Sequence, residues 1–213
     1  YGRMISGFVV LQMQQTGTAY SQKDIVDKLD DENRYDTADN YTRFVQANDS
    51  LFRSGELRAY YFGSSDDGSM KTGKQSVDLD GEKLTFEFEK NGSKKGAGLI
   101  GMNDHKLYIG GKLTTADSDN KIEVVVLNSN NQLITKSSVA DALASYSTSA
   151  TQHFKSNGDL DYTEYKFNNL PTGAKAYVVN TTGAMVKSGT KKDGDDYKVK
   201  TSNYTVDWVR LEE

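Results

Sequence analysis

A phrase that returns along the chain constrains its fold more than any bulk property. Tyr60 to Gly73 reads Tyr-Tyr-Phe-Gly-Ser-Ser-Asp-Asp-Gly-Ser-Met-Lys-Thr-Gly: an aromatic strand, a polar Asp-Gly turn, and a short return strand ending at glycine. The core Gly-x-Met-x-x-Gly appears again at Gly2–Gly7, and a further copy runs from Tyr177 to Gly189. Degraded versions lie at Phe86–Gly98 and Val124–Ser137. The turn residues Gly68, Gly92 and Gly110 are 24 and 18 positions apart, the spacing of hairpins about 20 residues long. A lone hairpin is marginal in water, so such units are expected to stack and bury one another's aromatic faces.

Between the copies the hydrophobic period follows secondary structure. Phe8–Met13 reads as a strand. Ser21 followed by Asp24 resembles a capped helix start, with Ile25, Val26 and Leu29 on one helical face. Thr37 to Ala47 carries a second helical stripe, Ala38, Tyr41, Phe44 and Val45, and Ser138 to Tyr146 a third, Val139, Ala142, Leu143 and Tyr146. Asp80-Gly81 is a two-residue hairpin signal. Leu84, Phe86 and Phe88 alternate with polar residues as a half-buried strand does, and Lys106–Ile109 and Ile122–Leu127 are further strands. Ser147–Gly158 reads as loop; Tyr162–Phe167, Tyr177–Val179, Tyr197–Val199 and Tyr204–Leu211 read as strands. The expected architecture is mainly β: stacked β-hairpin repeats, solenoid-like, with two short helical insertions. Its segments are residues 1–17 (end of a repeat), 18–50 (helical insertion), 51–137 (hairpin repeats), 138–158 (helical and loop insertion) and 159–213 (C-terminal β repeats).

Composition narrows the function. Hydrophobic residues are 36% of the chain and mean hydropathy is −0.68, which predicts a thin core. A net charge of −4 with interspersed signs lacks the basic stripe of a nucleic-acid domain. Without cysteine there is neither a disulfide framework nor a thiolate metal site. No apolar run approaches the roughly 20 residues of a membrane span. The chain opens in mid-phrase, so it is expected to be part of a longer protein.

Chemical motifs give only near misses. Gly68–Lys74 spells the first seven positions of a phosphate-binding loop, but the eighth, which should be Ser or Thr for magnesium, is Gln75, and no helix pattern follows. Gly96-Ala97-Gly98-Leu99-Ile100-Gly101 matches a dinucleotide fingerprint without the βαβ unit it needs. Asn157, Asp159, Asp161 and Glu164 lack the glycine and terminal glutamate spacing of a calcium loop, and Asp117–Asn120 and Asp193–Asp196 read as polar turns. His105 and His153, the only histidines, sit in polar, turn-like context without further zinc ligands. No nucleophile elbow is present. Neither a catalytic set, a cofactor nor a metal is expected. The residues left to carry chemistry are aromatics that can stack on sugar rings: Tyr60, Phe62, Tyr108, Tyr177, Tyr197 and Trp208.

The Tyr-Tyr-Phe…Gly-Ser-Met-Lys-Thr-Gly phrase resembles the cell-wall-binding (choline-binding-type) repeats of Gram-positive surface proteins, over about half the chain. The resemblance implies an extracellular, cell-wall-associated module without enzymatic activity, whose hairpins dock on a wall polymer or another glycan. In the choline-binding version an aromatic follows the glycine and completes a cation–π cage. Here Lys74 follows Gly73 and Thr190 follows Gly189, and only Gly7 keeps an aromatic, Phe8. The choline cage is therefore mostly missing, and a glycan or protein ligand, or a purely structural spacer, is expected in its place. The alternatives are a structural or adhesive segment that binds a protein partner, and the non-catalytic part of a wall hydrolase.

Overall fold

Turns built on glycine and on Asp or Asn divide the chain into short antiparallel strands, giving a mainly β protein with three short helices among the described residues. A computed structural model describes residues 4–212. The chain forms two compact units, one running to Asn103 and including Leu107–Leu113, the other comprising Asp104–Lys106 and the chain from Thr114 onward.

The first unit holds β1 (Phe8–Thr16), β2 (Ala19–Ile25), α1 (Ala38–Ala47), α2 (Asp49–Ser54), β3 (Leu57–Tyr61), β4 (Gly73–Leu79), β5 (Glu82–Phe88) and β6 (Gly101–Asn103). It also takes in most of β7 (Lys106–Ile109), and β8 (Lys112–Leu113). Its two sheets have the orders β2-β1-β3 and β4-β5-β8-β7-β6. The predicted stripe of α1 is buried at each of its four positions, and Thr37 caps the helix, its hydroxyl accepting from the Asn40 amide at 3.1 Å. That stripe meets an aromatic core. Phe8 makes edge contacts to Tyr41 at 5.0 Å and Tyr35 at 6.3 Å, and Phe86 stacks on Phe88 at 5.8 Å. The Tyr41 hydroxyl donates to the Gly110 carbonyl, and burial pushes its pKa far up. Asp80 and Gly81 both take positive φ, 53° and 83°, so β4 and β5 join through the predicted two-residue turn.

Three expectations fail here. Residues 19–25 form a strand, not a helix. Gly17, at φ 64°, turns β1 back on itself, and β2 pairs with it from Thr16↔Ala19 to Leu11↔Ile25. Of the supposed helical face, Ile25 is 46% and Leu29 59% exposed, and only Val26 is half-buried. The second failure is the phrase itself. Its strand ends at Tyr61, and its partner is β1, with Phe8↔Tyr61 and Val9↔Tyr60, far away in sequence. The return half touches back once, where the Lys71 amide donates to the Tyr61 carbonyl at 2.8 Å, so no hairpin forms. Of the first copy, Tyr1–Arg3 lie outside the described residues. Its Met4 rests against Gly68, and Met70 rests against Gly96. Thirdly, no solenoid-like stack of equivalent hairpins is seen among the described residues.

The second unit is one sheet with a helix on it: β9 (Ile122–Leu127), β10 (Leu133–Ser137), α3 (Val139–Tyr146), β11 (Ala150–Phe154), β12 (Leu160–Tyr165), β13 (Lys175–Asn180), β14 (Gly189–Lys192), β15 (Tyr197–Ser202) and β16 (Thr205–Glu212). The path is β10-β9-β13-β16-β12-β11, and β14-β15 adds on β16. β9 is buried at every position, as its apolar run predicts for a strand covered on both sides. The predicted stripe of α3 packs into a core with Val124, Val126, Val178, Val199 and Val209. β11 lies inside the stretch read as loop, and it carries His153 on a strand rather than a turn; its Ala-Thr-Gln-His sequence has no apolar alternation to reveal it. β14 and β15 carry the chain into and out of the Asp193–Asp196 turn.

Candidate ligand-binding site

The six aromatics singled out by sequence do not converge. Tyr60 is 6% exposed and packs with Val9, Leu11 and Ala97; Phe62 stacks on it at 5.9 Å. Tyr60 therefore has no free face for a sugar ring, which corrects its assignment as a ligand residue. Tyr108 is half-buried on β7, and Tyr177 half-buried on β13 opposite Val125. Trp208 has one face covered by the Arg210 guanidinium, whose central carbon sits 3.9 Å from the ring centre. The same guanidinium lies 4.3 Å from the Tyr162 ring, whose other face stacks on His153 at 4.4 Å. Arg210 is held in this column by Glu164, which accepts from Nε at 3.0 Å. The column thus occupies both faces of Tyr162 and one face of Trp208.

Tyr197 is different. It lines an open groove of about 400 Å³ together with Tyr165, and the two rings stand 6.4 Å apart at 67°. That volume lies at the lower end of the about 300–1,000 Å³ typical of small-molecule sites. α3 builds one wall. Its stripe Val139, Ala142, Leu143 and Tyr146 is fixed in the core, and this turns Ala140 and Ala144, one helical turn apart, toward the groove. Ser147, Thr148 and Ser149 form the rim, and Ala150 follows, opposite Tyr165 in the β11–β12 register.

The rim is fixed by Asn168. Its Oδ1 accepts from the Thr148 amide at 2.9 Å, and its Nδ2 donates to Thr148 Oγ1 at 2.9 Å and Ser149 Oγ at 3.3 Å. The Asn169 amide donates to the Tyr146 carbonyl at 2.9 Å and ties the same segment to the end of α3. Tyr197 is held from the other side by Asp193. The Asp193 Oδ1 accepts from the Asp195 and Tyr197 amides at 3.0 and 3.2 Å. Burial raises the Tyr197 pKa, and the neighbouring Tyr165 phenol and the Asp193 and Asp195 carboxylates add to this, so the hydroxyl keeps its proton. Burial likewise raises the Asp193 carboxyl, against those two backbone hydrogen bonds.

No carboxylate, imidazole, ammonium or guanidinium lines the groove. It offers an aromatic corner, an alanine wall and a row of hydroxyls. Among the described residues no group of three or more His, Asp or Glu is placed to hold a metal ion. The sequence reading missed Tyr165, three positions after Tyr162 and therefore on the other face of the strand, with Phe167 at the core-facing spacing beyond it.

The fold and groove define a class: a two-unit antiparallel β protein that carries an open aromatic groove with no charged side chain in its lining. Comparison with protein-family models, with curated proteins and with solved structures returned no match.

Proposed function

We propose that this chain is a non-enzymatic, cell-wall-associated module that binds a wall polymer or other glycan through the Tyr165–Tyr197 groove. The single observation that carries this reading is the groove's lining: two half-exposed tyrosines at an angle, hydroxyls along one rim and no ionisable acid, base or metal ligand beyond them. Aromatic rings with hydroxyl tips suit the mixed apolar and polar surface of a sugar. The extracellular setting rests on the repeat phrase at Tyr60–Gly73 and Tyr177–Gly189. Titration calorimetry against soluble glycans, with co-sedimentation on purified wall, tests the reading. Binding lost in Tyr197→Ala supports it; absence of binding at millimolar glycan, or full binding by Tyr197→Ala, refutes it.

A protein partner is the second reading, favoured by the exposed side chains of Ile25 and Leu29. A photo-cross-linker on Leu29→Cys would trap that partner, and a yield no higher than from exposed Lys83→Cys refutes it.

A further inference from the structure

We infer that the groove is selective for an acetamido sugar, an N-acetylhexosamine, over plain hexoses and uronic acids; this rests on the glycan reading above. The alanine wall is the first reason. Ala140, Ala144 and Ala150 with Leu143 present methyl groups and no polar side-chain atom, facing a rim of three hydroxyl residues. A plain hexose carries hydroxyls around its whole ring and would leave one of them unpaired against that wall. An acetamido group has a methyl to bury there and an amide whose N–H and C=O can reach the rim.

Charge is the second reason. Nothing in the lining is positively charged, so a carboxylate or phosphate finds no counter-ion. Asp193 and Asp195 lie behind Tyr197, and their charges are felt at its hydroxyl. Their sign opposes an anionic ligand. The ligand is thus a neutral sugar with an apolar substituent.

The third reason is pre-organisation. Asn168 holds Thr148 and Ser149 by three hydrogen bonds, so the rim does not have to be ordered on binding. Small differences between ligands are then read directly as differences in affinity.

Calorimetry or amide chemical-shift titration of the whole chain with three probes tests this: a β-1,4 tetramer of N-acetylglucosamine, the matching glucose tetramer and a galacturonic acid tetramer. Burial of one methyl is worth roughly a four- to fivefold preference, so the acetamido tetramer is expected to bind roughly fivefold tighter than the glucose one, with the uronate weakest. Ala144→Leu adds bulk to the alanine wall from an exposed helix position and is expected to weaken acetamido-tetramer binding more than glucose-tetramer binding, narrowing the preference; an unchanged preference in this variant overturns the role given to the wall. Equal affinity for the two neutral tetramers, or tighter uronate binding, overturns the acetamido inference and leaves the groove as a glycan site. Binding by none of the three at millimolar concentration overturns both readings.

Discussion

Arg210 offers a measurable test of whether the Trp208–Arg210–Tyr162–His153 column is scaffold or ligand platform. Arg210→Met keeps the aliphatic stem and removes the guanidinium. It loses two cation–π contacts, at 3.9 and 4.3 Å, each worth about 0.5–1 kcal/mol at a partly exposed site. It also loses the 3.0 Å pair with Glu164, whose side chain is only 19% exposed; surface ion pairs contribute about 0.2–1 kcal/mol, and this one is expected toward the upper end. The expected total is about 2 kcal/mol. With a urea dependence of about 2 kcal/mol per molar, the midpoint falls by about 1 M. The single tryptophan reports on the second unit, and it survives a double-mutant cycle of Arg210→Met with Tyr162→Leu. A coupling of about 0.5–1 kcal/mol is expected, and Arg210→Lys recovers only part of the loss because an ammonium cannot stack as a plane. A coupling below about 0.3 kcal/mol would refute the scaffold argument. So would loss of glycan binding in Tyr162→Leu with Tyr197→Ala unaffected, since the column would then be the site.

Asp193→Asn is expected to stabilise the chain at neutral pH. A carboxyl whose pKa is raised in the folded state favours folding while protonated and loses that contribution as pH rises through the folded value; an asparagine Oδ1 can still accept from the Asp195 and Tyr197 amides. Denaturation profiles should coincide well below the ordinary aspartate value and separate in favour of the variant above it, and a less stable variant at pH 7 contradicts this. Tyr35→Phe removes a hydroxyl that accepts from the Val10 amide at 3.3 Å and donates to the Val26 carbonyl, leaving buried groups unpaired at a cost of about 1–3 kcal/mol. Urea unfolding followed by circular dichroism measures it, and a change under about 0.5 kcal/mol would show that water replaces the hydroxyl. Asn168→Ala frees the Thr148–Ser149 rim: amide exchange at Thr148 should accelerate, and glycan affinity should fall roughly fivefold, about 1 kcal/mol of ordering; unchanged exchange contradicts that role.

Local pattern located the elements whose stabilising contacts are local or one-faced. The α1 and α3 stripes, the Asp80-Gly81 turn and the apolar run Ile122–Leu127 each announce themselves within ten residues. It failed where a partner distant in sequence decided. Residues 19–25 contain a passable helix start, but the tertiary alternative, pairing with the already buried β1, captures the backbone. β11 is held by β12 and by nothing in its own composition. The insertion of β13 between β9 and β16 has no local signature at all. The groove was half legible. Tyr197 stood out as an aromatic on a strand, but its meeting with Tyr165 depends on β12 and β15 both flanking β16.

The repeated phrase shows how one sequence pattern gives two structures. In the Tyr177–Gly189 copy the strand residue Val179 bridges Met185 across a tight turn, where the Gly183 amide donates to the Asn180 carbonyl at 3.2 Å and the Asn180 side chain accepts from Thr182 and Ala184. That copy does return on itself. In the Tyr60–Gly73 copy, extra residues around Ser64–Asp66 lengthen the loop, and Asp67 spends its carboxylate on Ser69 and Lys71. The return half then makes no ladder with the aromatic strand, which pairs with β1 instead. What the Tyr60–Gly73 copy keeps with the Gly2–Gly7 copy is the seating of methionine on glycine: Met4 on Gly68, Met70 on Gly96, both glycines at positive φ where a side chain would be strained and would collide. The glycines are thus retained for packing, and the tyrosines go where the pairing sends them: Tyr60 into the core and Tyr177 onto a central strand. A cage of stacked repeat aromatics requires every copy to fold alike. Because they do not, the groove proposed as the glycan site lies outside the phrase, where β12, β15 and α3 bring two tyrosines and an alanine wall together.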